Sequence, residues 1–413
     1  MHTNPALATT ARRRLAMFRA LRHRNYRLFF AGQLISLTGT WMQSVAQGWL
    51  VLRLSDSPFW LGSVAAANSL PVLLFSLFAG TVADRFPKRR VLLVTQSTAM
   101  LLAAILTGLT LSGLVRIEHV LVLALLLGVV NAFDAPARQA FTVEMVGRED
   151  LLNAIALNSS IFNGARTVGP AVAGIIVAWI GEGPAFLLNT LSFGAVLASL
   201  LSMRLDARVA PRQHRGSLFS AGLRYIAGEP TVRALLLRAA AVSFFCFVHI
   251  PLLPVFARDI LHIGAAGLGW LSAASGLGSL VAALILAQLH DDARRGKLLA
   301  TAALLYAPLL IGFTFARNLP LALGLIGLCG WAGVTTMALT NTLIQLIVPD
   351  DLRGRVMSVF TLMLMGLSPL GGMIAGSVAE LVGSVPLVVA GSALIGWILV
   401  LLVEWQAPQL RQL

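Results

Sequence analysis

The sequence predicts an all-α membrane protein with twelve membrane-spanning helices arranged as two six-helix halves. Its 413 residues are 57% hydrophobic and only 12% charged, with a mean hydropathy of +0.83, whereas soluble domains carry about 25% charged residues. The apolar residues form long runs without the two-residue alternation of a membrane β-barrel. Runs of about 20 apolar residues cross a bilayer as helices.

Twelve runs are long and apolar enough to be spans. They cover residues 28–50, 60–82, 91–112, 119–137, 156–180, 184–203, 233–256, 266–289, 298–315, 320–342, 356–382 and 385–405. The connections between them are short except in the middle of the chain. The predicted organisation is a basic N-terminal segment 1–27, a first half 28–203, a middle loop 204–232, a second half 233–405 and a tail 406–413.

Positive charge is concentrated on alternate connections. Most of the 31 lysines and arginines lie in the N-terminal segment, in the middle loop and its edges, to which Arg238 is assigned, and in every second connection. The positive-inside rule therefore predicts a multi-pass protein of the inner (cytoplasmic) membrane with both termini in the cytoplasm. Dispersed basic clusters also exclude nucleic acid as a partner, since a nucleic-acid site needs one continuous basic surface. The lipid bilayer and a small-molecule substrate are the expected partners of a monomer.

The two halves carry related sequence. Glu149–Leu151 after the fourth span is matched by Asp350–Leu352 after the tenth, and Asp84 has a counterpart in Asp291. These echoes predict two halves of parallel topology related by a pseudo-two-fold axis along the membrane normal. In transporters with that symmetry, the substrate site lies near the bilayer midplane between the halves.

Polar side chains share one face of the first span and one face of the fifth. At 3.6 residues per turn, those of the first span fall within about 60° of one another. A polar stripe facing lipid would be costly, so both stripes predict a water-filled cavity. Bonding between helices is the alternative for each residue. The predicted cavity residues are Gln33, Ser36, Thr40, Gln43, Gln47, Asn163 and Arg166.

Arg166 lies near the middle of the fifth span, where a charge is expensive and a functional role is the first hypothesis. We expect it to attract an anionic or acidic group of the substrate. The alternative is structural: Arg166 could pair with helix carbonyls or with a carboxylate.

The strongest local motif, GTVADRFPKRR at 80–90, follows the second span. Gly80 would let helices approach closely, Asp84 can pair with a helix N-terminus, and Arg85 and Lys88 face the cytoplasm. A basic loop that merely obeys the orientation rule is the alternative. The segment resembles the G-x-x-x-D-R-x-G-R-[KR] loop signature of the major facilitator superfamily, with Pro87 in place of the second glycine.

Other segments extend this resemblance over nearly the whole chain. They are FRALRHRNYR at 18–27 leading into GQLIS at 32–36, APARQAF at 135–141, RTVGP at 166–170 and DLRGRV at 351–356. Together they resemble the branch that contains the enterobactin exporter and drug:proton antiporters. The resemblance implies the major facilitator fold, with no cofactor and the proton gradient as the energy source.

Gly169, Pro170 and Gly174 resemble the span-five motif of exporters in the superfamily, which is associated with antiport. Proline removes one helix hydrogen bond and glycine permits close packing, so the segment predicts a bendable gate. The alternative is an ordinary span rich in glycine and proline.

Few ionisable residues lie within the spans, and the candidates for proton coupling are Asp134, Glu380 and His249. Asp134 resembles the acidic residue that superfamily members place in the fourth span to pair with a loop cation, here expected to be Lys88. With Asp84, this pair would form a cytoplasmic latch. His249 is equally compatible with a hydrogen-bonded core residue, and Glu404 is expected at the membrane interface.

These features favour a secondary active exporter of a small organic molecule, drug-like or a siderophore, that works by alternating access and proton antiport. An importer or a lysophospholipid flippase on the same fold is the alternative, and a scaffold or sensor is a further one. An enzyme is disfavoured because the sequence has no nucleophile–base pair, and no His/Cys cluster indicates a metal site. The phosphate-binding loop of an ATP-driven pump is also missing.

Overall fold

The computed structural model describes residues 19–147, 149–204, 219–289, 292–408 and 410, and the regular structure of this part is helical. Its helices are α1 (Arg24–Ser55), α2 (Pro58–Arg85), α3 (Lys88–Leu111), α4 (Ile117–Val146), α5 (Leu151–Ile180), α6 (Glu182–Leu201), α7 (Phe219–Gly228), α8 (Pro230–Ile260), α9 (Gly264–Ala287), α10 (Asp292–Phe315), α11 (Leu319–Ile347), α12 (Asp350–Val382) and α13 (Val385–Gln406). Helix α8 contains wider π-helical turns at Val242–Cys246 and Phe256–Ile260.

Twelve of these helices are spans. Over the described residues, 11 are long and apolar enough to cross a membrane. Helix α1 is the twelfth; it has 32 residues, but its polar stripe lowers its hydropathy. Helix α7 has 10 residues, which is too short to cross. The prediction of a twelve-span all-α membrane protein is confirmed.

Several helices are longer than the predicted spans. Helix α4 continues to Val146 instead of residue 137, and α12 begins at Asp350 instead of 356. At 1.5 Å per residue, the 33 residues of α12 measure about 50 Å, against about 30 Å of hydrocarbon. Hydropathy detects only the part in hydrocarbon, because the added turns carry polar side chains that reach water.

The prediction of a loop over 204–232 is wrong for its second part. Helix α7 occupies Phe219–Gly228, and α8 begins at Pro230, where the Glu229 carboxylate caps the helix by accepting a hydrogen bond from the Thr231 backbone N–H at 3.4 Å. Proline at the first helical position suits this start, since its missing N–H would have no partner there. Residues 205–218 lie outside the described part of the chain.

The helix pairings of the first half recur in the second. Helix α1 packs on α5 and α6, α2 on α4, and α3 on α4 and α6. Correspondingly, α8 packs on α12 and α13, α9 on α11, and α10 on α11 and α13. The same pattern six spans later is what two halves related by pseudo-two-fold symmetry produce.

Two helix pairs, α5 with α9 and α2 with α12, carry most of the contact between the halves. In both pairs the two helix backbones approach each other closely at glycine residues. A Cβ on Gly174 of α5 would lie 2.7 Å from the Cα of Gly269 on α9, and a Cβ on Gly62 of α2 would lie 2.5 Å from the carbonyl oxygen of Gly372 on α12. Small residues of this kind let membrane helices meet backbone to backbone.

Candidate substrate cavity

A cavity of about 590 Å³ lies between the two halves, within the size range of small-molecule sites. Most of its polar lining comes from the first half. The polar residues lining it are Ser36, Thr40, Gln43, Ser44, Gln47, Asn68, Ser69, Gln96, Asn131, Asp134, Arg138, Arg166, Asn189, His249, Ser272, Ser275 and Ser368. The wall from the second half is more apolar and includes Pro251, Pro254 and Pro369.

The polar stripe of α1 faces this cavity for most of its length. Ser36, Thr40, Gln43 and Gln47 line it. Gln43 also bonds between helices, since its side-chain oxygen accepts a hydrogen bond from the Asn189 amide at 2.5 Å. Cavity lining and interhelical bonding, the two alternatives for this stripe, therefore coexist in one residue.

Two predicted cavity residues do not line the cavity. Gln33 is 3% exposed, and its side-chain oxygen accepts a hydrogen bond from Nη1 of Arg138 at 2.9 Å. The Asn163 amide donates to the carbonyl oxygen of Ser159 on its own helix at 2.9 Å. Each side chain therefore has a hydrogen-bond partner within the protein in place of a position on the cavity wall.

Arg166 lines the cavity from α5, as predicted. Its guanidinium carbon lies 5.6 Å from the ring centroid of Trp41, and Trp41 meets Phe162 edge to face at 5.7 Å. Within the described residues, no carboxylate lies within 4.0 Å of Arg166 and no hydrogen-bond acceptor is assigned to it. The structural alternative, an ion pair or helix-carbonyl pairing, is not formed in this conformation.

Asp134 is held by three neighbours. Its Oδ1 accepts hydrogen bonds from Thr95 Oγ1 at 2.8 Å and Gln96 Nε2 at 2.7 Å, and its Oδ2 accepts one from Arg138 Nε at 2.9 Å. The network connects α4 to α3 and, through Arg138 and Gln33, to α1. Asp134 is 2% exposed, so this pairing is what allows a charge at that depth.

The predicted contact between Lys88 and Asp134 is wrong for this structure. Lys88 pairs instead with Glu144 of α4, with Nζ 3.3 Å from Oε1. The Asp134 carboxylate forms its ion pair with Arg138. Gly80 has open space where a neighbour was expected, and Arg85 is an exposed residue at the end of α2. The side chain of Asp84 lies outside the described part, so its place in the latch stays a prediction.

The exporter-like segment of α5 packs on both of its sides. A Cβ on Gly169 would lie 2.8 Å from the Thr38 carbonyl oxygen of α1, within the first half. Gly174 meets α9 of the second half, and Pro170 between them lines the cavity. The segment thus lies where a change in the angle of α5 would move one half against the other.

The other two proton-coupling candidates lie in different surroundings. His249 of α8 lines the cavity but is 3% exposed, and its Nδ1 is 2.8 Å from the Cys246 carbonyl oxygen. Glu380 lies far from Asp134, near the end of α12, and accepts a hydrogen bond from Ser57 Oγ at 2.7 Å. The structure does not bring Asp134, Glu380 and His249 into one cluster.

The halves are joined by polar contacts on the side opposite the chain termini, here called the far side; the side where α1 begins and α13 ends is the termini side. Arg258 of α8 contacts the Asp56 carboxylate after α1 and donates to the Leu52 carbonyl oxygen at 3.4 Å. Ser57 and Glu380 form the second link. The cavity, by contrast, reaches toward the termini side as far as Asp134 and Arg138.

Arg238 and Glu404 form an ion pair whose side chains are 0% and 1% exposed. Glu404, expected at the membrane interface, is buried inside the protein with Arg238 between α8 and α13, and its depth in the membrane stays a prediction. Hydropathy and loop position assigned Arg238 to the edge of the middle loop, and no pattern in the sequence indicates its partner.

A bundle of two related six-span halves around a polar cavity is the architecture of a secondary transporter. The chain belongs to the transmembrane secretion effector family of the major facilitator superfamily, whose family model matches residues 15–412. It is therefore a transporter and not an enzyme.

Relatives of similar length support this assignment. The staphyloferrin A transporter of Staphylococcus aureus is 26% identical over 361 residues, or 86% of this chain and 90% of the relative. The multidrug efflux pump Tap of Mycolicibacterium fortuitum is 30% identical over 363 residues, or 84% and 87%. The enterobactin exporter EntS of Escherichia coli is 27% identical over 401 residues, or 94% of both chains.

Solved structures resemble the fold. The nucleoside transporter NupG superposes with a TM-score of 0.72 at 13% identity, covering 92% of this chain and 98% of that one. A bacterial homologue of the iron transporter ferroportin gives 0.70 at 15% identity, with coverage of 92% and 98%. At such identities the similarity establishes the fold alone.

Proposed function

We propose that the protein exports a small organic molecule across the cytoplasmic membrane by alternating access, in exchange for protons. The observation that carries this proposal is the polar cavity between two halves whose polar links, among the residues the structure describes, lie on the far side. The names of the relatives, two siderophore transporters and a multidrug efflux pump, favour a drug-like compound or a siderophore as cargo.

The direction of opening follows from the predicted orientation. If both termini are cytoplasmic, the Arg258–Asp56 and Ser57–Glu380 links close the outer side, and the cavity is accessible from the cytoplasm. Substrate would enter past Asp134 and Arg138, and rotation of the halves about the α5–α9 and α2–α12 contacts would expose it outside. This geometry suits an exporter that loads from the cytoplasm.

Asp134 is the proton carrier we favour among the three candidates. Its carboxylate lines the cavity and is held by Arg138, so protonation would release the guanidinium and loosen the tie between α4 and α1. Glu380 lies at the far side, away from the cavity, and His249 is occupied by the Cys246 carbonyl oxygen.

The test uses inside-out vesicles with an acidic lumen, ethidium and fluorescein as probes, and vesicles without the protein as the baseline. Export by proton exchange predicts uphill accumulation of at least one probe, with a matching loss of the pH gradient reported by a pH dye. Accumulation that persists after the gradient is collapsed, or that requires ATP, contradicts the proposal. Probe movement only out of the vesicles would favour the importer.

A further inference from the structure

Among the residues that the structure describes, the cavity wall has one positive charge without a counter-charge. Three residues that are charged at neutral pH line it, namely Asp134, Arg138 and Arg166. Asp134 and Arg138 neutralise each other through their ion pair. Arg166 is left as a full charge without a counter-ion among the residues the structure describes, and His249, the remaining titratable side chain of the wall, can add only positive charge.

An unpaired guanidinium at this depth is costly, because a buried charge needs a counter-charge or several hydrogen bonds. Arg166 has five N–H donors, and its observed neighbour is the face of Trp41, which attracts a cation but accepts no strong hydrogen bond. A carboxylate or sulfonate of a bound molecule would supply both the charge and the acceptors.

Groups of the second half lie next to the same position. A Cβ on Gly276 of α9 would lie 2.8 Å from the Arg166 carbonyl oxygen, so the two helices touch here. Ser272 and Ser275, which lie four residues and one residue before Gly276 on α9, line the cavity. Their hydroxyl groups can donate to an anion that Arg166 holds, and the anion would then contact both halves.

The rest of the wall beside Arg166 includes aromatic and aliphatic side chains. Trp41 and Phe162 form an edge-to-face pair, and Leu37 and Leu268 line the cavity from the two halves. An aromatic or amphipathic framework gains by burial on such a wall. The site therefore combines one anion-binding residue with an aromatic surface.

We propose that this cavity selects amphipathic organic anions, with Arg166 binding the carboxylate or sulfonate and with Trp41 and Phe162 contacting the planar part. The inference rests on the proposed function, because it names the substrate class of the same cavity. It concerns equilibrium binding, however, and can be tested without transport.

The probes are 8-anilino-1-naphthalenesulfonate and N-phenyl-1-naphthylamine, which share one ring framework and differ in the sulfonate. Each is titrated by fluorescence against the full chain in phosphatidylcholine nanodiscs, with protein-free nanodiscs as the baseline. The wild type is expected to bind the sulfonate at least about tenfold more tightly than the neutral probe. Equal affinities for the two probes would overturn the proposal without any variant.

Arg166→Gln is expected to remove this preference and to leave the affinity for the neutral probe within about twofold. Arg166→Lys keeps the charge but not the planar fork, so it should retain part of the preference. Arg53→Gln is the matched control, because it removes a cation that pairs with Glu182 outside the cavity. Loss of both probes to the same extent in a folded Arg166→Gln protein overturns the proposal.

Ser272→Glu provides a second route if the Arg166 variants do not fold. It places a carboxylate on the wall beside Arg166 and should abolish the sulfonate preference while Arg166 is intact. An unchanged preference would count against the assignment. Binding and transport separate the two proposals: selective binding without proton-driven flux contradicts only the proposed function, whereas proton-driven flux without selective binding contradicts only the substrate class.

Discussion

Arg258 of the second half contacts the carboxylate of Asp56, the residue that follows α1 of the first half. Asp56 has a left-handed backbone with φ of 51°, a conformation that aspartate and asparagine tolerate better than other side chains. This contact is one of the two polar links between the halves described on the far side, the other being Ser57 with Glu380. The side chains of Arg258 and Asp56 remain partly accessible, at 33% and 79%. It can therefore be removed without disturbing the fold.

Asp56→Asn should shift the protein toward a state open on the far side. Exposed ion pairs contribute up to about 1 kcal/mol, which corresponds to a change of about fivefold in the ratio of the two states. Spin-label distances between Leu114→Cys and Leu387→Cys, with Cys246 and Cys329 replaced by alanine, report the separation. Arg53→Gln is the control, since the Arg53–Glu182 pair lies on the same side but within one half. An unchanged distance distribution in Asp56→Asn would contradict the closure.

Asp134→Asn should abolish proton-driven flux and change the populations of the two access states, while binding to the competent state stays nearly intact. The amide cannot carry the proton and cannot pair with Arg138 as a carboxylate does. A loss of about 1–3 kcal/mol of unfolding free energy is expected from the weakened hydrogen bonds. Glu144→Gln, on the same helix as Asp134, is the control, because it breaks the ion pair with Lys88 of α3. Retained pH-driven flux in Asp134→Asn would exclude this residue as the proton carrier.

Gly174→Ala should push α5 and α9 apart on the far side. The new Cβ would lie 2.7 Å from the Gly269 Cα, and backbone atoms cannot give way as a flexible side chain can. The same pair of spin labels should report a larger far-side distance. Gly164→Ala on the same helix has nothing within 4 Å of its Cβ and should leave the distance unchanged. Equal behaviour of the two alanine variants would refute a tight α5–α9 contact.

Glu404→Gln should destabilise the protein strongly, because it leaves the buried Arg238 guanidinium without its counter-charge. Breaking a buried pair in this way costs about 3–5 kcal/mol. Replacing both partners, as in Arg238→Met with Glu404→Leu, should recover most of that loss. Unfolding in a denaturing detergent, measured for the single and double variants, gives the coupling energy. A double variant no more stable than Glu404→Gln would show that the pair is not an isolated unit.

Periodicity predicted the cavity face of α1 because a polar stripe on an apolar helix is costly where it faces lipid. It could not show that Gln33 faces Arg138, since a stripe defines a direction and not the neighbouring helix. Arg138 was missed as a partner of Asp134 because hydropathy ended the fourth span at 137. Once α4 is known to continue, the spacing of four residues places both side chains on one face.

Charge patterns were informative about orientation and poor at finding partners. The positive-inside count treats every arginine near a span as a loop charge, and it therefore placed Arg238 at an interface. Lys88 was paired with Asp134 from the superfamily resemblance, whereas Glu144 comes within its reach because α4 extends to Val146. Such pairings depend on tertiary contacts that one sequence does not reveal.

The halves approach each other backbone to backbone at glycines, as at Gly62 against Gly372 and Gly174 against Gly269. Because glycines have no side chains to interlock, one half can rotate against the other at these points of the α5–α9 and α2–α12 contacts without changes of side-chain rotamer. The activation barrier of the transport cycle would then arise chiefly from hydrating and dehydrating the Asp56 and Ser57 contacts. Turnover should accordingly respond more to the ionic strength on the far side than to the bulk of the lipid acyl chains.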